Sequence, residues 1–169
     1  MNGILYPRAG TLGGCTAHNA LVAIYPYRSD FDYIAGLTGD SSWRAENVRE
    51  YFVRLEKTLP FSVNDAKRNG PRELIVSVRD AVNEDGSKKY PLDVRMDCFV
   101  TKIIFDTSVS PPHATGVEFL DGEYLYTASP LSMKGKSGIP GTATASREVI
   151  VAGGIYNSPQ LLKLSGIGP

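Results

Sequence analysis

Residues 6 to 26 read YPRAGTLGGCTAHNALVAIYP, and the interpretation of the whole chain starts from this stretch. At its centre, Gly13 and Gly14 let the backbone approach another group closely, because neither residue carries a Cβ. Short polar side chains follow at Cys15, Thr16, His18 and Asn19. Bare backbone amides beside short polar side chains suit a flat, phosphate-bearing cofactor. An ordinary tight turn before a helix, with one of the polar residues as its cap, is the alternative that these residues alone leave open.

A second glycine-containing stretch, residues 153 to 169, reads GGIYNSPQLLKLSGIGP. The apolar run before it, residues 148 to 152, does not alternate, which is typical of a strand covered on both faces. Ser158 as cap and Pro159 as first residue predict a helix that runs to about Leu164. A helix that begins behind a glycine turn can bind a phosphate at its amino terminus. A purely structural strand-to-helix joint fits these residues equally well.

The patterning between these two stretches predicts a mixed α/β fold. Apolar spacing near 3.6 predicts helices, and the aromatic residues of the first of them are expected in a core. From Pro91 the period changes to two, which predicts strands, with Asp121-Gly122 as a hairpin-type turn. We expect His113 in an exposed loop and a mobile surface loop over residues 129 to 145. The predicted elements are helices at 43 to 57 and about 71 to 83, and strands at 92 to 96, 98 to 106, 115 to 120 and 124 to 128.

Composition excludes several classes of partner. The 169 residues make one domain or a piece of one, and the 18 basic and 18 acidic residues cancel, so nothing suggests a nucleic acid or an anionic membrane as partner. No apolar run approaches the roughly 20 residues of a membrane span, and no signal peptide is visible, so the compartment stays undetermined. Cys15 and Cys98 make no disulfide framework, and Cys15 with His18 offers too few ligands for a metal site.

Both glycine-containing stretches resemble the two sequence signatures of the glucose-methanol-choline (GMC) flavin oxidoreductases. The second stretch departs from its signature at Ile155, where a small residue is usual, and the first departs at Gly10, Cys15 and His18. The first keeps Leu12-Gly13-Gly14, Asn19, Pro26 and Asp32, and the second keeps Gly154, Ser158-Pro159, Leu161-Leu162 and Ser165-Gly166-Ile167-Gly168.

That resemblance implies a fold, a cofactor and a reaction. Residues 1 to 169 would form part of an N-terminal FAD-binding domain of the dinucleotide type, with an antiparallel strand insertion and an irregular, shortened joint near 58 to 70. The family oxidises CH–OH groups of alcohols, sugars or aryl alcohols by hydride transfer to the flavin, so the substrate of the full-length protein would be such a small molecule. By resemblance, the residues that line FAD are Thr11, Gly13, Gly14, His18, Asn19, Ala20, Leu21, Val22 and Val100.

Two of these positions have a specific role in relatives. The residue that matches Val100, in a strand before a Thr-Lys or Thr-Arg pair, contacts the adenine end of FAD through its backbone. Some relatives carry a histidine at the position of His18 that bonds covalently to the flavin's 8α-methyl carbon. A neutral imidazole is a nucleophile near pH 7, so covalent attachment through His18 is one expectation, and a merely hydrogen-bonded loop histidine is the other.

The resemblance also implies parts that this sequence lacks. No Gly-x-Gly-x-x-Gly turn precedes Leu5, so the first glycine-rich βαβ unit is expected to be absent. Neither His18 nor His113 matches the catalytic histidine pair of the family, so we assign no catalytic residue. Residues 57 to 68 join segments that relatives separate widely. We therefore expect an incomplete, inactive fragment of a flavin oxidoreductase. The alternative is a non-catalytic nucleotide-binding remnant or partner-binding protein.

Overall fold

Two compact units make up the chain, Met1–Asp93 and Val94–Pro169. A computed structural model describes residues 6–22, 24–58, 63–132 and 135–168. The described part of the first unit contains three α-helices and a short hairpin. Its elements are α1 (Arg28–Thr38), α2 (Ala45–Thr58), β1 (Val63–Asn64), β2 (Lys67–Arg68) and α3 (Pro71–Arg79).

The core of the first unit lies between α1 and α2. Phe31 and Ala35 of α1 are buried, and the ring of Phe31 packs edge-on against Phe52 of α2, with ring centroids 5.9 Å apart. The carboxylate of Asp32 accepts a hydrogen bond of 3.0 Å from the backbone N–H of Ala45. Asp32 thereby satisfies a free N–H at the start of α2 from a neighbouring helix. Helix α1 is not among the predicted elements.

Helix α2 confirms the helix predicted at 43 to 57, with a start two residues later. The expectation that its aromatic residues are core is wrong for Tyr51, which is 56% exposed, and for Trp43, which is also exposed in a 3₁₀ turn before the helix. On α2 it is Phe52 that packs against Phe31 of α1, and Tyr51, one residue earlier, lies on a different side of the helix.

Helix α3 ends at Arg79, four residues before the predicted end. Beyond it the backbone reverses, because the N–H of Lys89 donates to the carbonyl of Ala81 at 2.9 Å and Val82 forms an isolated bridge with Lys88. The joint expected to be irregular near 58 to 70 contains the hairpin of β1 and β2. Residues 59 to 62 of this joint lie outside the described residues.

The described residues of the second unit form a three-stranded antiparallel sheet and one α-helix. Strands β3 (Cys98–Asp106), β4 (His113–Asp121) and β5 (Ile139–Thr144) lie in the order β3-β4-β5, and α4 spans Gly154–Leu164. Ile103 and Phe119 are the buried apolar residues of the sheet, at 3% and 6% exposure. The hydroxyl of Ser165 accepts the N–H of Ile103 at 2.8 Å and donates to the carbonyl of Leu161 at 2.7 Å, which ties the end of α4 to β3.

The sheet confirms the predicted strand at 98 to 106 exactly and the one at 115 to 120 with longer ends. His113 is exposed as expected, although it begins β4 rather than lying in a loop. Other expectations are corrected. Residues 92 to 96 and 124 to 128 form no strand, and Asp121-Gly122 makes no tight hairpin because β5 begins only at Ile139. Part of the expected loop at 129 to 145 is strand β5, which places Pro140 opposite Leu120.

The second glycine-containing stretch also differs from its prediction. Residues 148 to 152 form no strand, and Ile150 is 78% exposed, because a strand requires a hydrogen-bonded neighbour and no described segment supplies one. Helix α4 begins at Gly154 rather than Ser158, so Pro159 lies inside it, where its missing N–H removes one intrahelical bond. The mixed α/β class is confirmed. No parallel strand pair occurs among the described residues, so the dinucleotide-type sheet stays a prediction.

Candidate cofactor-binding site

The double glycine forms a tight loop in the first unit. Gly13 and Gly14 have φ values of +85° and +57°, in the left-handed region that glycine adopts without strain. Residues Gly14–Ala17 form one 3₁₀ turn, and the N–H of Asn19 closes the loop on the carbonyl of Cys15 at 2.9 Å. A Cβ on Gly13 would lie 3.1 Å from the backbone nitrogen of Arg72, whereas a Cβ on Gly14 would meet nothing within 4 Å. Gly13 therefore packs against α3, and the face at Gly14 is open.

The far end of the loop is held by Arg68 on β2. Its Nη1 donates to the side-chain Oδ1 of Asn19 at 2.8 Å, to the carbonyl of Asn19 at 2.9 Å and to the carbonyl of Thr16 at 3.3 Å. The Oδ1 of Asn19 also accepts the N–H of Leu21 at 3.3 Å. Leu21 has a φ of +60°, which is unusual for a branched side chain. The hydrogen bond from the N–H of Leu21 to Asn19 therefore lies where the backbone adopts this left-handed conformation, directly after the loop.

The loop brings together eight of the nine residues predicted to line FAD. Most of them face solvent, and Val22 is 71% exposed. The imidazole of His18 is exposed and makes no hydrogen bond within the part of the chain that the structure describes, while its backbone N–H bonds the carbonyl of Cys15 at 3.2 Å. The residues in or next to this loop are Thr11, Gly13, Gly14, His18, Asn19, Ala20, Leu21 and Val22.

The ninth predicted residue, Val100, lies on β3 in the second unit. There it lines a cavity of about 320 Å³ between the start of β3, residues 149 to 153 and α4. Most lining side chains are aliphatic, and Asn157 and Gln160 of α4 add two amides. A mainly apolar cavity with a few polar groups is typical of small-molecule sites.

The two thiols have pKa shifts of opposite sign. Cys15 follows the double glycine, and a side-chain hydrogen bond from Arg8, then a backbone hydrogen bond from Ala9, lower the pKa of its thiol. The Nη1 of Arg8 lies 3.5 Å from the sulfur. Cys98, at the start of β3, has a pKa raised by burial and then by the charge of Asp121. Because the thiolate is the reactive form, we expect the loop thiol of Cys15 to be the more reactive of the two.

The described ranges contain neither a metal-binding cluster nor a membrane-spanning helix. No group of three or more His, Cys, Asp or Glu side chains there is arranged to hold a metal ion. None of the helices in those ranges is both long enough and apolar enough to cross a membrane.

Comparison with known proteins identifies the family. The family model described as GMC oxidoreductase matches residues 76–169, which is more than half of the chain. The chain belongs to the GMC oxidoreductase family. The matched region includes the whole sheet of the second unit, Val100 and the second glycine-containing stretch. No solved structure matches the chain significantly.

Curated relatives align with nearly all of the chain. It is 28% identical over 212 residues to an oxygen-dependent choline dehydrogenase of Staphylococcus saprophyticus, which covers 96% of this chain and 34% of that protein. It is 43% identical over 225 residues to the GMC oxidoreductase family protein Mala s 12 of Malassezia sympodialis, with the same shares covered. A dehydrogenase of Emericella nidulans, pkfF, is 26% identical over 214 residues, which covers 97% of this chain and 34% of that protein.

The alignments show how much of its relatives' length the chain covers. The chain spans about a third of the length of the curated relatives it matches. Each aligned span is longer than the 169 residues of the chain, so each relative has residues inside the span that have no counterpart here.

Sequence reasoning missed Arg68 as a residue of the site. Arg68 lies 49 positions from Asn19, and the sequence contains no pattern that pairs them. The sequence contains only a weak signal for Arg68. It is a basic residue shortly before Gly70-Pro71, where the helix that packs against the glycine loop begins.

Proposed function

We propose that this chain supplies FAD-binding residues to an oxidoreductase that acts on CH–OH groups of an alcohol, sugar or aryl alcohol. The observation that carries the proposal is the double-glycine loop, whose Gly14 leaves the backbone open on one face. Family membership supports it, because the N-terminal domain of GMC oxidoreductases is FAD-binding. The names of relatives, among them choline dehydrogenase, support an alcohol-type donor.

The loop residues fit a flavin. With no atom within 4 Å of the position where a Cβ of Gly14 would lie, a flat ring can approach the backbone directly. Thr11, Gly13, Gly14 and residues 19 to 22 would hold the flavin half of the cofactor. When bound, FAD supplies the acceptor for the hydride that leaves the alcohol carbon. The role of these residues is to bind and orient the ring.

The cavity of the second unit, taken by itself, supports the proposed contact of Val100 with adenine. Its aliphatic walls, Val100 among them, suit the faces of a flat base, and the amides of Asn157 and Gln160 are donors and acceptors for ring nitrogens. Its volume of about 320 Å³ lies at the lower end of the range of ligand pockets. In this proposal Val100 contacts the adenine, as the sequence resemblance implies.

A titration with FAD tests the proposal. We expect quenching of flavin fluorescence by the purified chain, and about tenfold weaker binding for Gly14→Ala, the equivalent of ~1.4 kcal/mol. Gly86→Ala is the matched control, since Gly86 also has a positive φ and open space around its Cβ position but lies in the turn after α3. Unchanged FAD affinity in Gly14→Ala, or no binding by the unmodified chain, would contradict the proposal.

Covalent attachment through His18 is a second form of the same proposal. The exposed imidazole is accessible to a bound ring system. Flavin fluorescence in a washed acid precipitate, lost in His18→Ala, is the result expected for a covalent bond. A clear pellet means that any binding is non-covalent. Reduction of the bound FAD by choline, glucose or benzyl alcohol would contradict the expected inactive fragment and exclude the non-catalytic alternative.

A further inference from the structure

Arg68 of the hairpin reaches the double-glycine loop through three hydrogen bonds from its Nη1. We propose that Arg68 is a positioning residue that holds the loop of residues 13 to 19 in its cofactor-binding conformation. This inference rests on the proposed function, because it names the residue that orders the flavin-binding loop.

The hydrogen bonds of Arg68 converge on the end of a 3₁₀ turn. The turn Gly14–Ala17 leaves carbonyl groups at its end without partners inside the turn. Arg68 donates to the carbonyls of Thr16 and Asn19 at this end. A cation there is favourable because the carbonyl dipoles point toward it, and hydrogen bonds from a charged donor are stronger than neutral ones.

Arg68 also determines how the side chain of Asn19 is oriented. A guanidinium group only donates hydrogen bonds, so its contact of 2.8 Å must be with the amide oxygen of Asn19. The same oxygen accepts the N–H of Leu21. With the oxygen held from two sides, the amide nitrogen is directed away from Arg68 and remains a donor for a ligand. Asn19 is one of the residues predicted to line the flavin.

The backbone around Arg68 is built to present it. The hairpin pairs Val63 with Arg68 and turns through Asp65 and Ala66, whose φ values of +49° and +58° match a tight two-residue turn. Four residues after Arg68, the backbone of Arg72 lies against the Gly13 end of the loop. The segment from β2 to α3 therefore holds both ends of the loop, one by hydrogen bonds and the other by packing.

The position of Arg68 separates this role from a general contribution to stability. Arg68 and Asn19 are exposed and Thr16 is half-buried, and the hydrogen bonds between them are at exposed positions, so water can replace the guanidinium there. Its removal is expected to loosen the loop while the core between α1 and α2 keeps its packing.

The test compares Arg68→Ala with Lys67→Ala, an exposed neighbour on the same strand. Two readouts are taken: FAD affinity by fluorescence titration, and the rate at which iodoacetamide labels Cys15 in the absence of FAD. For Arg68→Ala we expect about tenfold weaker FAD binding and several-fold faster labelling of Cys15, with an unchanged urea midpoint. Arg68→Lys, which keeps the charge but loses the planar fork, should restore part of both effects.

The two readouts separate this inference from the proposed function. If the unmodified chain binds no FAD, the proposed function fails, and the labelling rate of Cys15 still decides whether Arg68 holds the loop. If Arg68→Ala matches Lys67→Ala in both readouts, the positioning role is wrong. A lowered urea midpoint in Arg68→Ala with unchanged labelling at low urea would likewise overturn it, because it would make Arg68 a general stabilising residue.

Discussion

In the sheet of the second unit, Ile103 and Phe119 are nearly inaccessible to solvent and lie on the paired strands β3 and β4. In the double-glycine loop of the first unit, no residue is buried, and the conformation depends on hydrogen bonds from Arg68 and on packing against Arg72. The difference teaches that the two regions respond to different changes. The sheet is sensitive to side-chain volume, and the loop is sensitive to a few directional contacts.

The largest effect is expected from removing the central ring of the sheet. Phe119→Ala deletes a buried aromatic side chain and leaves a cavity, so we expect a loss of about 3–5 kcal/mol in the free energy of unfolding. Ile139→Ala on β5 is the control, since Ile139 is exposed and should cost under about 0.5 kcal/mol. Urea unfolding followed by circular dichroism measures both. Equal losses of unfolding free energy in the two variants would mean that burial of Phe119 does not stabilise the sheet.

A pair of glycine substitutions sharpens the contrast between the units. Gly116 is buried on β4, and a Cβ there would overlap the carbonyl oxygen of Ala143 on β5, so Gly116→Ala should cost about 1–3 kcal/mol. Gly36 lies inside α1 with nothing within 4 Å of its Cβ position, so Gly36→Ala should stabilise by about 0.5–1 kcal/mol. The same urea titration gives both values, and a stabilising Gly116→Ala would refute the close approach of β4 and β5.

A smaller effect is expected from the hydroxyl that ties α4 to β3. Ser165→Ala leaves the partly buried N–H of Ile103 without its acceptor, at an expected cost of about 1–2 kcal/mol. Ser77→Ala is the matched control, because Ser77 makes a similar bond of 2.8 Å to a helix carbonyl but is exposed. Hydrogen exchange at the Ile103 amide is the direct measurement. Exchange as slow as in the unmodified chain would show that Ser165 does not protect it.

The smallest change leaves the fold intact and compares the two thiols. The lowered pKa of Cys15 gives it more thiolate at neutral pH, and the raised pKa of Cys98 gives it less. Alkylation by iodoacetamide should therefore reach half its maximal rate at a lower pH for Cys15 than for Cys98. Peptide mass spectrometry follows each thiol separately. Arg8→Gln should move the Cys15 profile upward and leave that of Cys98 unchanged.

The same contrast explains what could be predicted from the sequence. Strand β3 was predicted exactly, because its residues are β-branched and aromatic and prefer a strand wherever a partner is present. Helix α2 was predicted because its apolar spacing is local information. Strand β5 contains glycine, proline and alanine, and it forms because β4 offers a partner edge. Residues 148 to 152 are the converse case, with strand-like residues and no partner.

The candidate site was predicted only in part, for a related reason. Gly13 and Gly14 predict a loop, because a residue's ability to adopt a left-handed φ depends on that residue alone. The contacts that hold this loop connect residues about 50 positions apart, and they depend on how the β1-β2 hairpin folds back. No periodicity encodes such a contact. The start of helix α4 was not predicted correctly. Ser158 and Pro159 suggest that the helix begins there, but it begins at Gly154.

The two outer strands of the sheet have a consequence for association between copies of the chain. Strand edges with free N–H and C=O groups are templates on which another chain can add. On β5 that edge includes Pro140, which has no N–H to donate, and on β3 the N–H of Ile103 is already taken by Ser165. The edge of β5 is thus interrupted near its start, at Pro140, and the edge of β3 near its middle, at Ile103. Neither edge offers an unbroken row of N–H and C=O groups to an incoming strand. The features that shape the fold of this unit also limit self-assembly into extended sheets.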